Sequence, residues 1–269
     1  MSDSTRFDHL AQSGYEFKLG DYLSRGWELF RSQMGSFIGY TLLMGVIYFV
    51  SALVLAFIPG IGGIAAGILL MTMLAGFYIG CETLAKTGTV SMNDFFRGFE
   101  VISQVALYYL ILIGIVLVVF GVLGGGLFLI KGQEVIESFQ DLQTQQDNPL
   151  AALEFIQSLG WFIAFFVLAG IALQLFYYFA LPLIALGRLS AWPAMETSRK
   201  VATPQLLQLF LFVIVLGLIN LAGALLLLVG LIFTIPLTLC SIYAAYEGIF
   251  GIEGSGPESQ IDEIGRAEG

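Results

Sequence analysis

The chain has 269 residues, of which 58% are hydrophobic and only 12% charged, and its mean hydropathy is +0.88. A soluble domain carries about 25% charged residues, so this composition excludes one and points to a chain surrounded by lipid. The net charge of −9 leaves no basic face large enough for nucleic acid.

The first 31 residues are polar and mixed in charge, which predicts an uncleaved first span rather than a signal peptide, with residues 1–20 as an N-terminal tail. Four stretches then lack any charged residue: Ser32 to Cys81, Val101 to Ile130, Phe155 to Gly187 and Val201 to Tyr246, of 50, 30, 33 and 46 residues. One helical span needs about 20 apolar residues, so these hold two, one, one and two spans. Their continuous apolarity, without alternation, excludes a barrel. The expected spans are about 36–58, 62–81, 101–130, 160–186, 205–226 and 229–249, all within a membrane domain over 21–250.

Each pair of spans follows a short segment of amphipathic character. "DYLSRGWELFR" sets Leu23, Trp27 and Phe30 on one face, against Asp21, Arg25 and Glu28. "SMNDFFRGFE" gathers Met92, Phe95, Phe96 and Phe99, with Ser91 and Asp94 at capping-box spacing. "SAWPAMETSRK" sets Trp192 and Met195 opposite Glu196, Arg199 and Lys200. Such segments suit the headgroup boundary, aromatic face down. Arg25, Arg31, Arg97, Arg199 and Lys200 are the candidate contacts to lipid headgroups, each contributing about 1 kcal/mol of attraction to anionic lipid. Trp27, Trp161 and Trp192 fall where anchoring aromatics belong.

Between the third and fourth spans lies a polar insert, Lys131 to Ser158, with one lysine against five carboxylates. The other ten Lys and Arg lie in the tails and in the loops that share their side. The positive-inside rule therefore places both termini in the cytoplasm and the insert outside. Val135, Ile136, Phe139 and Leu142 recur at helical spacing. "DNPL" starts a second helix, with Asn148 as cap and Pro149 in the first turn. Two short helices over the outer membrane face or over the bundle are expected. They form either a solvated connector or a docking segment for a protein partner.

The second spans of units one and three end alike, Tyr78 four residues before Glu82 and Tyr243 four before Glu247. Glycine-rich outer stretches ("IPGIGGIAAG", "VLGGG", "LLVGLIF") recur too, "GGG" at Gly124 to Gly126 reading as a helix break or a close-packing site. The pattern reads as three helical-hairpin repeats, or as constraints shared by all membrane helices. The fold class is an all-α polytopic membrane protein with six transmembrane helices and cytoplasmic interfacial helices. The tail, 251–269, is acidic and lacks apolar periodicity, which predicts disorder, with Ile261 to Ile264 as its one apolar segment.

Chemistry is sparse. His9 is the only histidine, so one chain cannot build a His-based metal cluster or a supported Ser–His pair. No phosphate-binding loop is present, and no ionisable group lies near the membrane midplane. Cys81 and Cys240 read as free thiols in or beside spans. The polar residues that stand out within spans are Gln174 and Asn220, either pins between helices or the lining of a solute path. Glu82 and Glu247, at span ends, form either a facing carboxylate pair or two separate headgroup-zone acids. No catalytic residue, cofactor or metal ligand is expected.

"AMETSRKVA" and the following "VGLIFTIPLTLCSIYAAYEGIFG" resemble a group of bacterial integral membrane proteins of unknown function. That group is related to the membrane domain of some glycerophosphodiester phosphodiesterases. The positions that carry the likeness are Ala194 and Ser198, Gly230 and Pro236, and Tyr243 to Tyr246. It covers the last third of the chain and elsewhere extends only to layout. The resemblance implies a six-helix bundle in a bacterial inner membrane and brings no catalytic residues. The function expected is a non-enzymatic scaffold, accessory subunit of a membrane complex or lipid-associated factor; the alternative is a passive transporter or channel for a lipid or small neutral solute, for which the Gly and Pro interruptions at Pro59–Gly60, Pro182 and Pro236 speak.

Overall fold

The structure, a computed structural model, describes residues 15–58, 60–144, 149–226 and 229–251. His9, the Asn148 cap, Pro59 and the acidic tail from Ile252 on, with Ile261 to Ile264, lie outside them. Among the described residues every regular element is helical. In chain order these are α1 (Leu19–Ser32), α2 (Met34–Leu55), α3 (Ile61–Thr87), α4 (Met92–Phe96), α5 (Ile102–Val118), α6 (Gly124–Thr144), α7 (Pro149–Phe176), α8 (Ala180–Ala185), α9 (Ala191–Ala202), α10 (Leu206–Leu225) and α11 (Leu231–Phe250). A 3₁₀ stretch, Arg97–Val101, joins α4 to α5, and a π turn, Val119–Leu123, joins α5 to α6.

Six helices are long and apolar enough to cross a membrane. They do not share the core equally. In α3 and α11, 56% and 50% of the apolar window is buried, against 11% for the α5–α6 helix and 6% for α7. The second and sixth spans are therefore the centre, and the third and fourth present most of their surface outward.

What holds the centre follows from the solvent. Lipid tails are as apolar as leucine, so helices associate through close packing and interhelical hydrogen bonds rather than through apolar burial. The closest packing is made by the three leading helices. Each lies against the second span of the preceding unit: α1 on α11, α4 with its 3₁₀ extension on α3, and α9 on α7 and α8. A small residue sits at each crossing. A Cβ on Gly26 would lie 2.6 Å from the Ser241 Cα. One on Gly98 would lie 2.5 Å from the Gly76 nitrogen. At the third crossing Ser198, fully buried, donates its hydroxyl to the Phe176 carbonyl at 2.8 Å and accepts from the Phe179 N–H at 3.1 Å.

The register of these contacts is the same in all three. Ser241, Gly76 and Phe176 each stand two residues before a tyrosine: Tyr243, Tyr78 and Tyr178. The threefold pattern is thus built into the packing as well as into the loops. Two of the leading segments also read alike, Arg25-Gly26-Trp27-Glu28-Leu29 and Arg97-Gly98-Phe99-Glu100-Val101.

The leading helices do not turn their aromatic faces as a whole in one direction. In α1 the buried residues are Tyr22, Gly26, Leu29 and Phe30, while Trp27 is exposed. In the second, Phe95 and Gly98 are buried, and Met92, Phe96 and Phe99 face outward. In the third, Met195 is buried and Trp192 exposed. The predicted aromatic faces are split because small residues, not the largest ones, must occupy the close crossings. The Ser91–Asp94 capping box does form: the Ser91 N–H and hydroxyl donate to the Asp94 Oδ2 at 2.8 and 2.7 Å, holding that carboxyl below its usual range. Next to it, Phe95 stacks on Tyr40 at 4.4 Å, and the Tyr40 hydroxyl donates to the Met73 carbonyl.

The acidic insert also departs from its expected form. It is not a pair of separate short helices laid over the membrane face. Lys131 to Thr144 are the last turns of α6, and Pro149 to Ser158 the first turns of α7. From Ile102 to Thr144 the helix is continuous through the π turn and runs roughly 64 Å, about twice a 30 Å hydrocarbon layer. The glycines at 124–126 do not break it; Gly124 lies against the Phe166 ring. The hairpin is zipped by Phe128 with Phe162, Phe139 with Phe155, and the Ser138 and Ser158 hydroxyls 2.8 Å apart.

Substituting Gly26 by Ala should lower thermal stability in detergent by about 1–3 kcal/mol, because the Ser241 backbone as well as its hydroxyl blocks the new methyl. Gly217→Ala, whose added Cβ meets nothing within 4 Å, should not destabilise. Equal melting temperatures for the two variants would refute the close-crossing account.

Candidate functional site

The separation of α5 from α7 creates a crevice in the bundle. These helices are tied at both ends and pack little against each other between. At the outer end Phe120 stacks on Phe166, centroids 4.9 Å apart. At the base α9 bridges them: the Ala191 N–H donates to Gln104 of α5 at 3.1 Å, and Ser198 bonds the end of α7. Between the two ties lies a crevice of about 410 Å³, backed by α3 and opening sideways between α5 and α7. That volume falls within the roughly 300–1,000 Å³ of small-ligand sites.

Most of its wall is apolar, including Met71, Leu112, Val116 and Leu173. Its polar lining consists of four tyrosines and one amide: Tyr78, Tyr108, Tyr177, Tyr178 and Gln174. Tyr78 and Tyr108 are 5% and 6% exposed, and their hydroxyls have no hydrogen-bond partner among the described residues. Neither hydroxyl is sealed: among the described residues the sealed, unbonded side-chain polar atoms are Asn220 Oδ1 and Thr234 Oγ1. The two phenols therefore open on the crevice. No Asp, Glu, Lys or Arg lines it.

The local break in the fourth span shapes the floor. Phe176 ends α7, and Pro182 in α8 has no N–H to continue the helix ladder. Ser198 satisfies the freed carbonyl and N–H, which lipid cannot do. The turn swings Tyr177, Tyr178 and Leu181 beneath the opening. Below it Ala180, Leu183 and Ile184 are fully buried.

The two intramembrane amides take different places. Asn220 sits between α10 and α11, its Nδ2 donating to the Thr238 hydroxyl at 2.8 Å and to the Leu216 carbonyl at 3.1 Å. Gln174 makes no hydrogen bond among the described residues and faces the crevice. Sequence chemistry alone treats them as equals; the neighbours distinguish them.

Glu82 and Glu247 are both half-buried at the cation-rich end, each with its own cation. Glu82 accepts from Lys86 at 2.7 Å; Glu247 accepts from Arg25 and from the Tyr243 hydroxyl, each at 3.3 Å. The candidate headgroup cations are also engaged. Arg25 reaches Glu28 and Glu247, Arg97 reaches Glu100, and Arg199 and Lys200 share Glu196. Arg31 is exposed and has no carboxylate partner among the described residues. Cys81 and Cys240 are free and buried, their sulfurs 3.8 Å apart between α3 and α11. On the hairpin, Glu134, Glu137, Asp141 and Glu154 line a shallow groove with Trp161. No cluster of three or more His, Cys, Asp or Glu suited to a metal ion occurs among the described residues.

No family model matches this chain, and comparison with the curated proteins and with the solved structures finds no match either.

Of the crevice residues, sequence reasoning singled out Gln174 and, by its spacing to Glu82, Tyr78, but assigned no polar lining to the tyrosines, since a tyrosine in a span reads as packing. The signal that was there is positional: Tyr78, Tyr178 and Tyr243 share one register, and only Tyr243 has a carboxylate for its hydroxyl.

Asn220→Leu should cost about 1 kcal/mol of stability by removing the α10–α11 bond, measured by thermal unfolding in detergent. Gln174→Leu should leave that stability unchanged. The opposite ranking would exchange their roles.

Proposed function

We propose that this is a non-enzymatic protein of a bacterial inner membrane, with both termini cytoplasmic, acting as a lipid-associated scaffold. The observation that carries the reading is the crevice between α5 and α7. It is mostly apolar, open between α5 and α7, and furnished with tyrosine hydroxyls and an amide that have no hydrogen-bond partner among the described residues. A membrane helix bundle that only needed to pack would close such a gap, since unfilled volume forfeits contacts and unbonded polar groups cost free energy in an apolar setting. A lipid lying in the crevice resolves both.

The orientation rests on the charges. The ion pairs of Arg25, Lys86, Arg97, Arg188 and Arg199 gather at one end of the bundle, and Lys131 stands at the other. The positive-inside rule makes the first end cytoplasmic. The bacterial inner membrane is what the resemblance of residues 194–202 and 229–251 to bacterial six-helix membrane proteins implies. Retention is favoured over passage because α8 is packed solid beneath the crevice.

A second reading has its own support. The hairpin continues about 20 Å past Lys131, and Ile136, Leu153 and Ile156 are exposed on it. Exposed apolar residues beyond the bilayer suit a protein partner, which would make the chain an accessory subunit docking through 131–158.

Extraction into native-lipid nanodiscs followed by intact-complex mass spectrometry should find the chain carrying a retained lipid. A chain that sheds all lipid on gentle activation refutes the lipid-associated reading. A stoichiometric protein that leaves when residues 134–154 are replaced by a short loop establishes the accessory-subunit reading instead.

A further inference from the structure

The geometry points to a specific class of occupant for the crevice between α5 and α7: an uncharged membrane lipid whose polar end is a carbonyl or hydroxyl oxygen. This rests on the lipid-associated reading and adds to it the chemistry of the headgroup.

An anionic headgroup needs cations, usually Arg or Lys, to meet its phosphate or carboxylate. None lines the crevice. A cationic headgroup needs a carboxylate, and none lines it either. An ion placed there would be taken out of water without a partner, which costs far more than any contact returns. What the wall does offer is phenol. Tyr78 and Tyr108 are buried, lack acceptors among the described residues and open on the crevice. Tyr178 closes the floor beside them, within electrostatic range of Tyr78. A phenol hydroxyl donates to a carbonyl or alcohol oxygen, and the Gln174 amide both donates and accepts. Tyr108, Gln174, Tyr177 and Tyr178 line the part of the crevice nearer the base, Tyr78 and Tyr108 buried and Gln174 exposed at its edge, while Leu112, Val116 and Phe120 continue the wall toward the outer end. A lipid entering sideways would bring its oxygen to the tyrosines and leave its chain along α5, trailing into the bilayer through the mouth.

The test uses the full chain in nanodiscs doped equally with dioleoylglycerol or dioleoylphosphatidate. The two lipids share their tails and differ in the charged phosphate. Retention is read by native mass spectrometry. The wild type should retain the diacylglycerol at least about tenfold better than the phosphatidate. The Tyr78→Phe/Tyr108→Phe/Tyr178→Phe variant keeps the rings and loses the donors; it should retain the diacylglycerol about tenfold less, as expected from losing two or three hydrogen bonds. Gly170→Trp provides a second variant. An added Cβ at Gly170 meets nothing within 4 Å, so the indole fills the crevice from α7 without displacing backbone, and retention should fall to background. Equal retention of both lipids by the wild type, or unchanged retention in the triple variant, overturns the headgroup assignment and leaves the lipid-associated reading standing. Retention of neither lipid by the wild type overturns both. Full retention in Gly170→Trp places the lipid elsewhere and overturns this site.

Discussion

The structure depends on three crossings where one backbone comes within touching distance of another. In lipid there is no apolar driving force between helices, and every backbone donor and acceptor needs an internal partner. Gly26 on Ser241, Gly98 on Gly76 and Ser198 on the broken end of α7 meet both conditions. Each joins a leading helix to the last span of the unit before it, so the three units close on one another in a ring. The hairpins alone would be loosely associated pairs. The leading helices convert them into a single bundle centred on α3 and α11.

The ring is not symmetric, and its asymmetry makes the crevice. At the position four residues after the shared tyrosine, units one and three carry Glu82 and Glu247, and unit two carries Pro182. A proline there ends the helix ladder, so the fourth span breaks at Tyr177 to Phe179 instead of running straight to the membrane edge. Tyr243 finds Glu247 for its hydroxyl. Glu82 is held by Lys86, and no acid stands near Tyr178 in the register. In unit two one substitution thus removes the carboxylate from Tyr178 and bends the span, while in unit one Lys86 holds Glu82 and Tyr78 is left without it.

Much of the architecture was legible because charge is so rare. The four charge-free runs locate the spans, and helix limits such as Leu206–Leu225 and Leu231–Phe250 fall within two residues of what those runs imply. The faces were not legible. A helix apolar on every side has no periodic contrast, so nothing in "LYYLILIGIVLV" tells which side meets a neighbour and which meets lipid. The leading helices do carry contrast, which marks an apolar and a charged face but does not tell which apolar residues meet lipid and which meet the bundle. Trp27 and Trp192 point outward because the crossings demand Gly26, Ala194 and Ser198. The short sequence likeness around Gly26 and Gly98 was the one readable sign of this. Gln174 and Asn220 could not be separated by chemistry at all, because a role as pin or as lining belongs to the neighbours and not to the amide.

The hairpin beyond the third and fourth spans then takes on a mechanical role as well as a polar one. Two helices with a gap between them would close up if nothing held them, since contact is favourable wherever atoms can meet. Here α5 is tied at its base through Gln104 to α9, and α9 is tied through Ser198 to α7. At the other end the Phe120–Phe166 stack and the zipper up to Ser138 and Ser158 hold α6 against α7. Two clamps with an unclamped stretch between them make a frame of fixed width. Shortening the hairpin would leave the base clamp intact and free the outer ends to shift. On this account the polar insert sets the opening of a site buried in the membrane that it never touches.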